Sequence, residues 1–276
     1  MIELPEAMVI ADQLNREVRG KRIRQGVFGR APHKFAFASM TADGYATALA
    51  GKTAGEASAR GSLILLALEP GFVLVLAGGG ERTLLHRDES TLPKKHQLLL
   101  ALEDGAFLSV SVQGWGSVLL LKQAEVGAHP WCGREGISPL SPDFTWERFQ
   151  ELFDHIENPK DSVKCFAISR PGIMGVGNGY LQDIFYLAKL HPRRRAVALS
   201  MKERRALYQA ARRVLQKAVK LHGRDTERDL HNQPGRYRRL MDSEHVGQPC
   251  RDCGTAIQKI AFLGGACYFC PRCQPV

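Results

Sequence analysis

The chain lacks any run of 18 apolar residues, which excludes a helix long and apolar enough to cross a membrane. No apolar segment precedes the first charged residue, Glu3, so a cleaved secretory signal is not expected. No internal repeat is visible, which excludes a solenoid. Acidic residues are few: 28 Asp and Glu stand against 38 Lys and Arg, giving a formal net charge of +10. The 7 cysteines are too clustered for a secreted disulfide scaffold, and a reducing, cytoplasmic compartment fits them best. What is present is 276 residues with 44% hydrophobic content, enough for two compact domains and a small extra module.

The small module is at the C-terminal end. Cys250-Arg-Asp-Cys253 and Cys270-Pro-Arg-Cys273 are two C-x2-C pairs separated by residues 254–269. Each pair fits a tight knuckle that aims two thiolates at one tetrahedral zinc, and the intervening segment is long enough for a β-hairpin. Cys267-Tyr-Phe-Cys270 offers the same spacing in another register. Cys270 and Cys273 are preferred because Pro271 and Arg272 repeat the polar knuckle of the first pair. Four thiolates would close the coordination sphere, so a single structural Zn2+ with no open position for chemistry is expected. A basic chain carrying a zinc ribbon points first to nucleic acid, although a solvated basic surface would give the same charge.

Residues 3–19 read as a helix with Val9, Ile10, Leu14 and Val18 on one side. Ser62–Leu68 and Phe72–Leu76, split by Glu69-Pro70-Gly71, read as a hairpin. Gln97–Leu102 and Phe107–Val112, split by Asp104-Gly105, read as another, and Gly116–Lys122 adds a strand. This part is expected to be a β-sandwich or barrel-like domain. A linker rich in Pro, Gly and Ser follows over residues 129–142. Beyond it Phe149, Leu152, Phe153 and Ile156 share a helical face. Ser200 and Glu203 form a capping box for a helix running to about His222, with an apolar stripe of Leu207, Ala211, Val214, Ala218 and Leu221. The architecture expected is α+β: a leading helix and β-sandwich over 1–128, the linker 129–142, a helical domain over 143–240, and the zinc module over 245–276.

Gly175-Val176-Gly177-Asn178-Gly179-Tyr180 permits close backbone approach to a ligand, and the helix after it offers free N–H groups to a phosphate. No apolar strand precedes these glycines, so they are not a dinucleotide fingerprint. A plain interhelical turn would look the same.

Together, three segments resemble the Fpg/Nei (formamidopyrimidine-DNA glycosylase and endonuclease VIII) DNA repair family. Glu3-Leu4-Pro5-Glu6 resembles the family's amino terminus. Gly175–Tyr180, continuing to His191-Pro192, resembles its helix–two-turn–helix motif. The two cysteine pairs resemble its zinc finger. The resemblance spans essentially the whole chain. It implies a sandwich, a helix–two-turn–helix domain and a zinc-finger hairpin, acting as a monomer on damaged or abasic duplex DNA in the cytoplasm, at the nucleoid. It implies that Glu3 is catalytic and that Glu6 holds the first helix. It implies that Lys164, Asn178, Gly177 and Tyr180 bind DNA, Lys164 and Asn178 at the phosphates flanking a lesion.

The departures from the family fall on its chemistry. The family uses an N-terminal proline as an amine nucleophile at C1′ of the sugar; here Ile2 stands in that place. If Met1 stays, the free amine moves by one residue, roughly 3.5 Å along the chain. Ser62 stands where the family has a β-domain lysine, and Gly78-Gly79-Gly80 where it has a wedge methionine. Trp115, near the family's second wedge, is expected either to stack on a base or to pack as a loop aromatic on the sandwich. No arginine lies in Leu263–Ala266, where the finger of the family has one. Two readings follow. One is a DNA N-glycosylase, using Glu3 and the Ile2 or Met1 amine, with an altered or weakened AP lyase step in base excision repair. The other is a non-catalytic binder of damaged or structured nucleic acid on the same fold; an RNA-binding ribbon protein would explain the charge but not the amino-terminal string.

Overall fold

The structure is a computed structural model describing residues 1–133, 136–169 and 172–276. It divides into two compact units, Met1–Glu135 with Leu221–Arg236 and Gly136–Lys220 with Tyr237–Val276. This differs from the contiguous division expected from the sequence. Residues 221–236 join the first unit because Arg224 and Leu230 are buried in it. Of the expected linker, residues 134 and 135 lie outside the described residues.

The first unit opens with helix α1 (Leu4–Glu17) and strand β1 (Ile23–Phe28), then β2 (Ala36–Ala38), helix α2 (Ala42–Leu49), β3 (Thr53–Arg60) and β4 (Leu63–Glu69). Next come β5 (Phe72–Ala77), β6 (Glu81–His86), β7 (Leu98–Leu102), β8 (Phe107–Val112) and β9 (Gly116–Lys122). Among the described residues they form two sheets, ordered β1-β7-β8-β6 and β2-β9-β5-β4-β3. Both hairpins expected from the sequence are present, pairing antiparallel as Ile64↔Leu76 and Leu98↔Val110. Strands β3 and β6 were not legible, because few large apolar side chains mark them: Thr-Ala-Gly-Glu-Ala-Ser-Ala-Arg and Glu-Arg-Thr-Leu-Leu-His.

Alternate residues of β4, notably Ile64, Leu66 and Leu68, are buried with Leu74, Leu76, Leu98, Leu100 and Val110 in one core. Each such side chain contributes roughly 1.5–3 kcal/mol by leaving water. Leu100→Ala alone would remove about 2–5 kcal/mol. Helix α1 covers this core with Ile10 and Leu14, joined by its C-cap Val18. Its Asn15 repairs a break in sheet pairing: the β3–β4 register shifts between Ala54 and Ala57. The Asn15 side chain donates to Ala57 O and accepts from Ala57 N, both at 2.7 Å. Backbone groups freed by the bulge are thereby satisfied.

The second unit contains α3 (Trp146–Asp154), α4 (Val163–Ile168), α5 (Asn178–Ala188), α6 (Met201–Lys220) and the hairpin β10 (Gln258–Phe262) and β11 (Gly265–Phe269). Helix α6 starts as its sequence implied: Ser200 N donates to Glu203 Oε2 at 2.8 Å, and Glu203 N to Ser200 Oγ at 3.3 Å. Its stripe Leu207, Ala211, Val214 and Ala218 is buried, and Phe144, Phe149, Phe153 and Phe166 pack near it around Tyr208. Asp183 of α5 accepts from Tyr237 Oη and from the backbone N–H groups of Leu240 and Met241. Burial pushes this carboxyl up to about 6. Among the described residues no helix is long and apolar enough to cross a membrane.

Candidate active site and metal centre

In the first unit the amino terminus is held by a set of short-range and very long-range contacts. Glu3 is the N-cap of α1 and forms a reciprocal capping box with Glu6, whose Oε2 accepts from Glu3 N at 3.0 Å. Ile2 is buried in the sandwich core, and its N–H donates to Gly79 O at 2.7 Å. The three glycines before β6 make this possible. At Gly79 (φ +81°) a Cβ would lie 2.5 Å from Met1 Cγ and 2.9 Å from Ile2 O. At Gly78 a Cβ would lie 2.2 Å from the Trp115 ring, and at Gly80 2.2 Å from Trp115 O. The glycine run, expected only as a missing wedge, is the seat of the amino terminus on one side and of Trp115 on the other.

Residues 224 and 227 complete this seat and escaped the sequence reading. Arg224 is 4% exposed. Its Nε and backbone N donate to Glu6 Oε1 at 3.1 and 3.0 Å, and its Nη1 to Glu3 Oε1 at 3.4 Å. Its Nη2 donates to Met1 O. Glu227 Oε1 lies 2.5 Å from the Met1 α-ammonium. The signal available was a dense charge run, Arg224-Asp-Thr-Glu-Arg-Asp229, with no helical or strand period. A fourth carboxyl, Glu81, is buried under the glycine turn, where it accepts from Ser117 N at 2.8 Å. Desolvation pushes it up to about 7, against the pull of backbone donors and of the amino-terminal charge. The arrangement presents a primary amine flanked by carboxylates, the groups that nucleophilic attack and proton transfer require.

Trp115 is also in this unit. It is half-exposed, with its ring centroid 5.6 Å from Phe37 and 5.7 Å from Trp131. The rings are tilted to one another by 56° and 54°, and Phe37 and Trp115 are both exposed. Ser62 lies in the turn between β3 and β4.

In the second unit Lys164, Gly177 and Asn178 come together at the finger tip. Lys164 follows the N-cap Ser162 of α4 and is buried, with Nζ donating to Phe262 O at 2.6 Å. Asn178 is exposed at the first position of α5, after its N-cap Gly177. A Cβ on Gly265 would lie 3.0 Å from Asn178 Nδ2, so the hairpin passes directly beside it. Between them the tip turns through Leu263 (φ 47°) and Gly264 (φ 70°). The open polar group of this cluster is therefore Asn178, while the Lys164 ammonium braces the tip from beneath. The Tyr180 ring is fully buried against Tyr237, centroids 5.4 Å apart. That ring sits in the core instead of facing a ligand, because α5 turns this position inward beside Leu181 and Ile184.

The metal centre follows the preferred register. The sulfurs of Cys250, Cys253, Cys270 and Cys273 lie within 4.8 Å of one another. Cys253 and Cys270 are 3.4 Å apart, and Cys250 and Cys273 3.9 Å. Zinc–sulfur bonds of ~2.3 Å give a tetrahedron with edges of about 3.8 Å, so the four thiolates fit one Zn2+. Cys267 stands outside the group: it pairs with Ile260 in the hairpin and is buried. Four protein ligands leave no open position, and the ion is structural.

Three family models cover the chain: the formamidopyrimidine-DNA glycosylase N-terminal domain over residues 1–113, its H2TH domain over 136–229, and the zinc finger found in FPG and IleRS over 247–276. The formamidopyrimidine-DNA glycosylase of Symbiobacterium thermophilum is 30% identical across 100% of this chain and 90% of its own length. That of Heliobacterium modesticaldum is 31% identical across 99% and 100%. Among solved structures, Lactococcus lactis FPG with a Fapy-dG-containing DNA superposes with a TM-score of 0.86 at 25% identity, covering 99% of this chain and 100% of that one. The same enzyme with an oxidised-pyrimidine-containing DNA gives the same score, identity and coverage. With its sandwich, helix–two-turn–helix unit and four-cysteine finger in the family's order, the chain belongs to the formamidopyrimidine-DNA glycosylase (Fpg/Nei) family.

Proposed function

We propose that the protein is a DNA repair N-glycosylase that binds damaged or abasic duplex DNA and releases a modified base from it. One observation carries this reading. Glu3 is held rigidly beside the amino-terminal residues, by the α1 capping box on one side and by Arg224 Nη1 on the other. A structural capping residue needs only the first contact; the second ties its carboxylate to the segment bearing the amine. Relatives bound to Fapy-dG and to oxidised-pyrimidine DNA support an oxidised base as the substrate class. Such a base must leave the stack to meet a buried carboxylate, at a cost of a few kcal/mol. Asn178 and the first N–H groups of α5 would hold a phosphate, and Trp115 would stack on an exposed base. The lyase step is expected to be weak, because Ser62 brings no cation to the sugar-phosphate. The protein acts as a monomer in the cytoplasm, on nucleoid DNA.

Glu3→Gln tests the reading on duplexes carrying an oxidised base. Base release should disappear while DNA binding persists; release at the wild-type rate would remove Glu3 from the mechanism. The uncharged turn at Ser62 and the glycine run also favour a second reading, a non-catalytic binder of damaged DNA. Its mark is tight, salt-sensitive binding with no released base from any oxidised duplex.

A further inference from the structure

We infer that Glu227 is the proton acceptor of the nucleophilic amine, and that this amine is that of Met1. The inference rests on the glycosylase reading above and adds a catalytic group to it.

Three separate features of the fold fit Met1. Gly79, with its left-handed backbone, makes room for the Met1 side chain, since a Cβ there would lie 2.5 Å from Met1 Cγ. Arg224 Nη2 binds Met1 O. Glu227 Oε1 binds the α-ammonium at 2.5 Å. While Met1 is in place the nitrogen of residue 2 is a peptide nitrogen, with its N–H committed to Gly79 O; the amine belongs to Met1, which is 70% exposed.

Glu227 also has room to act. It is partly exposed; Arg224 Nη2 lies 3.8 Å from its carboxylate, and Arg228 Nη1 donates to its backbone O at 3.3 Å. Arg224 is engaged with Glu3 and Glu6, and Glu81 lies close enough to sense the amino-terminal charge. Glu3, Glu6 and Glu81 are each buried, while Glu227 contacts the amine nitrogen directly.

The Glu227 carboxylate takes one proton from the Met1 ammonium, leaving a neutral amine. The nitrogen lone pair forms a bond to C1′ as the glycosidic bond breaks, and that bond's electron pair leaves with the base, which is protonated by water. The nitrogen loses a second proton, the C1′–O4′ bond opens and O4′ is protonated, giving a C1′=N iminium. An abasic aldehyde reaches the same iminium by losing water.

The test uses the full chain and abasic duplex DNA with borohydride, which reduces the iminium to a stable amine. Intact mass and peptide mapping locate the adduct, and affinity for the same duplex is measured in parallel. The adduct is expected on the Met1 nitrogen. Glu227→Gln should slow trapping at pH 7 by about a hundredfold or more, the lower end of what a general base contributes. Binding should stay within about twofold, since no DNA contact is removed. Glu227→Asp should recover part of the rate. An adduct on Ile2 in a chain lacking Met1, or trapping in Glu227→Gln at or above the wild-type rate, would overturn the inference. Base release without any adduct would overturn it too and leave the glycosylase reading standing. Tight binding with neither release nor adduct would end both.

Discussion

Arg224 and Glu6, far apart in the chain, share hydrogen bonds at 3.0, 3.1 and 3.3 Å, from the arginine backbone N, Nε and Nη2. Glu6 thereby joins the first helix to the segment 221–236, and the same guanidinium reaches Glu3 and Met1 O. Both partners are buried, so each charge depends on the other.

Arg224→Met should therefore be costly. Removing the guanidinium takes from the buried Glu3 and Glu6 carboxylates the charged hydrogen bonds that it donates. The expected loss is about 3–5 kcal/mol in chemical denaturation. Arg224→Lys should recover only part of it, because one ammonium cannot reproduce the planar fork. A loss below about 1 kcal/mol for the methionine variant would show that the network does not support the fold.

Two glycines with similar backbones separate space from strain. Gly71 (φ +85°) has nothing within 4 Å of a built Cβ, while Gly79 (φ +81°) has Met1 and Ile2 there. Gly71→Ala should cost about 1–2 kcal/mol, from the left-handed conformation alone. Gly79→Ala should cost more in thermal melting and should also displace the amino terminus. Equal costs would mean that the seat relaxes freely.

Glu81 makes the first unit sensitive to pH. Its folded value is raised to about 7 from an ordinary 4.5, so folding favours its protonated form. The stability this gives is complete below about 4.5 and is lost as pH rises through about 7, to a total of about 3 kcal/mol. Glu81→Gln, which keeps an acceptor for Ser117 N, should gain on wild type between pH 5 and pH 8 by about 1–3 kcal/mol. Parallel stability curves across that range would contradict the assignment.

Zinc content should separate the cysteines. Cys273→Ser should lose the ion and unfold the finger, as chelation should in the wild type. Cys267→Ala should keep one zinc per chain, because that sulfur lies outside the cluster. Metal analysis that found zinc lost in Cys267→Ala and kept in Cys273→Ser would reverse the register.

Asn178→Ala should weaken binding to abasic duplex DNA about tenfold, the value of one hydrogen bond to a charged group. No charge is removed, so the slope of log affinity against log salt should not change. A changed slope would mean that the substitution shifts the neighbouring cations instead.

The elements with strong patterns were legible without coordinates. The hairpins β4–β5 and β7–β8, the capped helix α6 and the four zinc ligands each rest on local rules: alternation, a turn, an N-cap, a pair spacing. Glu3 and Asn178 were singled out through family motifs, and their roles remain proposals. Strand β6 was hidden because its buried positions are Glu81, Thr83 and His86 in place of large apolar residues.

What the sequence by itself determined was the set of parts and their order, since each part is specified by residues close together in the chain. Tertiary structure alone decided how the amino terminus is held. Arg224 and Glu227 look like an ordinary solvated charge run until the fold brings them to Met1, Glu3 and Glu6. Burial then turns weak surface charges into partners that cannot be separated cheaply, because a charge out of water requires its counter-charge. The glycine run likewise acquires its meaning only when Met1, Ile2 and Trp115 close on it from two directions.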